Sequence, residues 1–365
     1  MRAAILTEPG KPLEVVDGVE LEPPRAGEVR VRVTACGVCH SDVSLVNGTF
    51  PIMGPTIPGH EAAGVVAEVG AGVAGLAAGD HVVLTPNPSC GHCRSCRRGR
   101  FSVCEQTAAL MTSAFPDGST RLSRGGEVVY RGLGLAAWAE EVIVSSAGAV
   151  RVPAEVPLDV ACVIGCAVQT GTGAAINTAS IEPGDSVLVL GAGGIGVSIV
   201  AGAAIAGATR IIVSDPSEAR REQAMRFGAT DVIDPREVDV PTAVEVLVAG
   251  GVDVAFDAVG SAALVETCVA STCAGGETIM VGAAPIDDQL GLNAVTMMFA
   301  EKAVRGSLLG SSWGPRDIPR MVELWRSGRL PLDAMVTSRR PLAEVNEAVA
   351  DAEAGRGLRT VLLMD

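Results

Sequence analysis

The stretch SVLVLGAGGIG, Ser186–Gly196, decides the fold. Its first five residues, Ser186–Leu190, form an uncharged run of strand length. Gly191, Gly193 and Gly196 then stand at GxGxxG spacing, with Gly194 and Ile195 between them and an apolar run of helical length beyond. Strand, glycine turn and helix in that order are what a dinucleotide-binding unit requires: the glycines allow a tight turn, and amides at the helix N-terminus can meet a pyrophosphate. The next strand, Arg210–Ser214, runs into Asp215, where a carboxylate can bind both ribose hydroxyls and repel a 2′-phosphate. The pattern therefore predicts NAD rather than NADP. Arg220 and Arg221 follow closely enough to be read as a phosphate site, while Glu218 and Glu222 beside them favour a surface ion pair for one of the two.

Downstream the alternation continues with Val252–Asp257 and Glu277–Val281, which predicts a parallel doubly wound sheet. Upstream the texture differs. Short strands at Val29–Ala35, Gly64–Val69 and His81–Leu84 are separated by Gly, Pro and Asp, as in a β-rich domain. After Leu308 a helix over Ile318–Ser327 and a last strand, Leu358–Met364, are read as returning to that first domain. The expected division is thus 1–167 with 309–365, and 168–308 for the nucleotide. A chain of 365 residues suits two domains, and 48% hydrophobic but only 3% aromatic residues imply cores of Ala, Val, Leu and Ile. The net charge of −14 disfavours nucleic acid and anionic membranes as partners. Val187–Ala208 is uncharged and long enough for a naive membrane span, but its glycines follow the phosphate-binding pattern instead. The N-terminus reaches Glu8 and Pro9 before any apolar run of signal-peptide length, so a cytoplasmic protein is expected.

Ten cysteines in a reducing compartment point to metal or catalysis. In CGHCRSCRRGRFSVC, a lobe of about residues 88–106, Cys90, Cys93, Cys96 and Cys104 can close a tetrahedral shell around zinc. Four sulfurs leave no position for substrate, so the zinc would be structural. A disulfide pair, an iron–sulfur cluster and free thiols are the competing readings, and His92 reads as a bystander. Elsewhere CGVCHSD (36–42), GHE (59–61) and GC (165–166) offer Cys39, His60 and Cys166, a set suited to an open catalytic zinc. Taken singly, each piece reads as well as a redox pair, a core histidine or a buried thiol.

Together with GHEAAG, GCAVQTG, GAGGIG and the closing LRT, these pieces resemble zinc-containing medium-chain alcohol dehydrogenases over the whole chain. The resemblance implies an α/β fold: a Rossmann doubly wound parallel sheet domain plus a β-rich GroES-like catalytic domain with a structural zinc lobe. It implies two Zn2+ per subunit and NAD. Cys39, His60 and Cys166 match the catalytic ligands, Glu61 the acidic residue beside them, and Asp42 a carboxylate orienting His60. Ser41 matches the first hydroxyl of a proton relay, whose usual histidine three positions on is here Ser44. His40 and Arg359 fall to the pyrophosphate, Arg220 to the cofactor and Thr170 to the nicotinamide side. Phe50, Pro86, Gly132, Leu133, Val281 and Leu308 fall to the substrate pocket, Val281 also touching the cofactor. Pro86 and Gly132 are small where some relatives carry aromatic residues, which suggests room for a bulky alcohol.

Two other functions compete with alcohol oxidation. A thiol-dependent formaldehyde dehydrogenase would place a base soon after the fourth lobe cysteine, where this chain has Glu105, Gln106, Thr107 and Ala108. A catalytically silent nucleotide-binding protein would keep the fold without the chemistry. The length of the segment between Glu105 and Val128 resembles dimeric relatives, so a homodimer is expected.

Overall fold

Val29, Val31 and Val33 are buried while Arg32 and Thr34 on the other face are exposed and Arg30 is half-buried, the period-two pattern of a half-covered strand. In the computed structural model, which describes residues 1–106 and 113–364, they lie in the ten-residue strand Glu28–Gly37. This strand is the hub of a seven-stranded sheet. The strand order is Ala149–Arg151, His81–Leu84, Ala62–Val69, Glu28–Gly37, Arg359–Leu363 and Val336–Pro341, with Glu141–Ser145 also paired to the hub. The C-terminal strand runs antiparallel to the hub with Val361 opposite Gly37 and Leu362 opposite Cys36. That register carries Arg359 to the cysteine-bearing end of the hub. Trp138, fully buried, packs in the core of this first unit.

The second unit holds six parallel strands in the order Asp231–Ile233, Arg210–Ser214, Ser186–Leu190, Val252–Asp257, Thr272–Met280 and Ala303–Gly306. In chain order this is 3-2-1-4-5-6, the arrangement of dinucleotide-binding Rossmann sheets. The order reverses at Ser186–Leu190, so the glycine turn sits at the switch point. Gly191 adopts φ +93°, and a Cβ at Gly196 would overlap the Gly191 carbonyl oxygen; only glycine fits at either place. The helix Gly194–Ala206 follows and ends at Gly207, φ 107°. The apolar run 187–208 is thus a strand and a helix, and among the described residues no single helix is long and apolar enough to cross a membrane.

Two expected elements shift. The strand expected at Glu277 begins at Thr272. Val252 pairs with Thr272 and Val254 with Glu277, so the residues between Thr272 and Glu277, with Gly275 at φ +80°, form a bulge on this strand. The helix expected over Ile318–Ser327 runs Gly314–Arg326. The compact units are 1–166 with 313–325 and 332–365, and 167–312 with 326–331. Residues 309–312 fall with the second unit, where Ser312 Oγ donates to the Gln169 carbonyl at 3.2 Å. Residues 326–331 also do, with Arg329 reaching the Ile205 carbonyl at 3.4 Å.

Candidate active site and metal centres

The hub strand ends at Gly37, and Cys39 caps the helix His40–Val46. Asp42, the third helical residue, accepts from the Cys39 amide at 3.2 Å and so closes the turn as a capping box does. Its other oxygen accepts from the Gly59 amide at 2.9 Å and meets His60 Nδ1 at 3.0 Å. Asp42 is fully buried. One carboxylate therefore ties the helix start to the loop bearing His60 and fixes the imidazole, leaving Nε2 as the ligand atom.

Cys39, His60 and Cys166, all buried, bring their ligand atoms within 4.8 Å of one another. Zinc–sulfur bonds near 2.3 Å and tetrahedral angles need sulfur–sulfur separations of about 3.8 Å, so the donor set fits a zinc ion with one position left open. The Cys39 thiol is held well below its usual value by a hydrogen bond from Cys166 and by the Arg359 and His60 charges, against burial. A pre-formed thiolate is what a soft divalent metal requires.

Glu61 and Arg359 lie beside this set. Arg359 Nε is 3.1 Å from Glu61 Oε2, an ion pair not aligned as a hydrogen bond, and Arg359 Nη1 donates to the Val38 carbonyl at 2.8 Å. A Cβ at Gly37 would overlap Glu61 Oε2, which explains the glycine of CGVC. The sequence names Glu61 and Arg359 separately; their pairing follows only from the register of the C-terminal strand. Ser41 and Ser44 are half-buried on the first helix, and His40 is exposed.

In the lobe, Cys90, Cys93, Cys96 and Cys104 meet the same 4.8 Å limit. Main-chain amides point at the sulfurs: Cys90 N to Cys104 Sγ at 3.3 Å, Cys93 N to Cys90 Sγ at 3.3 Å, Cys96 N to Cys93 Sγ at 3.4 Å and Gln106 N to Cys104 Sγ at 3.4 Å. The Cys96 amide and its neighbours bring Cys93 down to about 6, whereas burial pushes Cys96 up to about 12. None of the ten cysteines is joined in a disulfide, against the disulfide reading, and the four-sulfur cage fits a structural zinc. His92 turns away, exposed, its Nδ1 2.8 Å from the Cys90 carbonyl. Phe101 stacks on Trp313, centroids 4.7 Å apart, and fastens the lobe to the start of Gly314–Arg326.

On the second unit, Asp215 is buried at the end of its strand. Its Oδ2 accepts from Ala192 N and its Oδ1 from Ser217 N, each at 2.8 Å, and a carboxylate has lone pairs left for ribose hydroxyls. Arg220 Nη1 approaches Asp215 Oδ2 at 3.9 Å. Arg221 pairs with Asp234 at 3.1 Å, a partner just past the strand Asp231–Ile233 that local sequence does not reveal, rather than with the adjacent Glu218 or Glu222. Gly193 caps the helix that starts at Gly194 and Ile195. Thr170 is buried, and its Oγ1 has no hydrogen-bond partner.

The expected pocket residues divide between the units. Phe50 and Leu133 are half-buried and Pro86 and Gly132 buried in the first; Val281 is half-buried and Leu308 exposed in the second. A Cβ at Gly132 would lie 2.8 Å from the Ile57 oxygen and Pro58 Cα. Its size is therefore set by backbone packing, and the room expected from it does not follow. Thr107 and Ala108 lie outside the described residues.

Comparison with known proteins agrees with this geometry. Residues 25–154 match the alcohol dehydrogenase GroES-like domain and residues 194–327 the zinc-binding dehydrogenase model. A provisionally named alcohol dehydrogenase D of Mycobacterium tuberculosis is 36% identical over 99% of both chains. An S-(hydroxymethyl)glutathione dehydrogenase of Escherichia coli is also 36% identical over 99% of both. The crystal structure of benzyl alcohol dehydrogenase from Acinetobacter calcoaceticus superposes with a TM-score of 0.95 at 29% identity, covering 100% of this chain and 99% of that one.

Proposed function

We propose, from the premise that this chain belongs to the zinc-binding medium-chain alcohol dehydrogenase family, that it oxidises an apolar primary or secondary alcohol to the aldehyde or ketone, and the reverse. That it is a zinc- and NAD-dependent oxidoreductase of CH–OH groups is established by the relatives and the two metal clusters; the apolar alcohol is the finer step. The observation that carries the reading is the buried Cys39, His60 and Cys166 set, one donor short of a closed shell. The half-buried Phe50 and Leu133 and the relative named for benzyl alcohol support an apolar substrate.

Zinc held there supplies Lewis-acid polarisation of a substrate oxygen, and NAD supplies the hydride acceptor. Asp42 keeps the proton on His60 Nδ1, so that Nε2 faces the two sulfurs. Arg359 balances the charge that thiolates and Glu61 concentrate in a buried space. Ser41 takes the proton of the substrate hydroxyl, and with Ser44 in place of an imidazole the proton passes on to water. On the second unit the amides after Gly193 receive the pyrophosphate and Asp215 the ribose, with Thr170 Oγ1 free to donate to the nicotinamide side.

Metal analysis followed by NADH absorbance tests this, using primary, secondary and aromatic alcohols with and without a low-molecular-weight thiol. About two zincs per chain and thiol-independent oxidation of apolar alcohols are expected. Fewer than about one zinc would overturn the central claim. Turnover confined to formaldehyde plus thiol would move the enzyme to the second reading, which the Escherichia coli relative favours.

The expected homodimer has support on the second unit. Ile286, Val295, Met298 and Phe299 are exposed, the last at 79%, and they precede the edge strand Ala303–Gly306. A second copy adding its own edge would pair that strand and cover the apolar side chains. Light scattering should give twice the chain mass, and Phe299→Glu should shift it toward one. The net charge of −14 favours indifference to nucleic acid, which a DNA titration checks; fractionation checks the expected cytoplasmic location.

A further inference from the structure

A cavity of about 300 Å³ borders the four-cysteine lobe at Cys90 and Gln106, and none of Cys39, His60 or Cys166 lines it. Arg131 lines it and is only 4% exposed. The guanidinium lies 3.9 Å over the Phe115 ring and donates from Nη2 to the Ile143 carbonyl at 3.0 Å. A guanidinium has five donors, and among the described residues no carboxylate lies within ion-pair distance of this one.

Glu28 faces the same cavity but is already engaged. Its Oε1 accepts from Arg121 Nη2 at 2.7 Å, and its Oε2 from Arg121 Nε at 3.2 Å and the Arg25 amide at 2.9 Å. Burial brings the Arg131 guanidinium down to about 9; Glu28 opposes that fall and Arg121 adds to it. A buried cation without a carboxylate in ion-pair contact is costly, and here it borders space that a small molecule can fill. Pro86, Leu135 and Val144 give the remaining wall an apolar character.

We infer that this cavity binds a compact carboxylate with an apolar body: the acid group on Arg131, the body against Phe115, Pro86, Leu135 and Val144. Arg–carboxylate pairing supplies two charge-assisted hydrogen bonds and neutralises the cation. The cavity shares Pro86 with the expected substrate pocket but none of the catalytic zinc ligands lines it, so a carboxylate would occupy it with those ligands intact.

Calorimetric titration of the zinc-loaded protein with benzoate, and with benzamide as its uncharged counterpart, tests the inference. Saturable benzoate binding is expected, with benzamide about tenfold weaker or more, as loss of a charged hydrogen-bond partner entails. Arg131→Met should abolish it. Ser145→Leu should also abolish it by filling the cavity while keeping the cation, so the test stands even where the first variant does not fold. Benzoate binding that persists in either folded variant, or that is lost only in Cys166→Ser, would place the anion elsewhere and overturn the inference.

Discussion

Asp42 meets three donors with two oxygens, the amides of Cys39 and Gly59 and the Nδ1–H of His60. Asparagine in its place would turn an NH2 toward groups that themselves donate. Asp42→Asn should therefore lower zinc retention or kcat by about 10- to 100-fold, read as metal per chain after dialysis beside turnover; an unchanged variant would remove Asp42 from the site. Ser41 separates differently. Ser41→Ala should lose about 10²-fold or more in kcat with zinc content intact, whereas Cys39→Ala should lose metal and activity together. At Gly37 the constraint is space, because an added methyl overlaps Glu61 Oε2. Gly37→Ala should cost about 1–3 kcal/mol in denaturant unfolding, and a neutral result would show that Glu61 moves freely.

At the scale of elements, the strand Asp231–Ile233 is held at its start by Arg210, whose Nε and Nη2 each meet an Asp231 oxygen at 3.0 Å. That pairing, with the Thr230 hydroxyl, holds the Asp231 carboxyl below the usual range. A lowered folded value means the stabilisation is complete above the unfolded value near 3.9 and is lost as pH falls through the folded one. Thermal melts of Arg210→Met should thus fall below the parent at pH 6, with the gap narrower at pH 3, where loss of the pair's stabilisation has begun. An equal gap at both pH values would assign the effect to packing. Most elements can be read from local pattern, since alternation along Val29–Val33 and the apolar run at Ser186–Leu190 are local signals. Thr272–Met280 is harder, because its start is set off from the rest by a bulge around Gly275 and Gly276 that only the pairing with Val252–Asp257 reveals.

Over the whole molecule, the two metal centres differ in how far sequence can reach. The lobe cage comes from a span of fifteen residues and is visible in its spacing. Cys39, His60 and Cys166 come from a helix cap, a loop and the residue after a 3-10 turn, and only the folded sheet, or family resemblance, joins them. Arg359 depends on the pairing of the last strand with the hub, a contact over more than three hundred residues. Chelation should accordingly proceed in two steps: the more exposed lobe metal leaves first with loss of thermal stability, and the buried metal later with loss of turnover. A single step would mean the centres are coupled. Asp215 carries a last consequence. Because its two oxygens also brace Ala192 and Ser217, the residue proposed to select the nucleotide is a strut of the glycine-rich loop beside it. Re-engineering toward NADP by neutralising Asp215 would slacken the glycine turn for either coenzyme, so a working switch must rebuild that brace along with the charge.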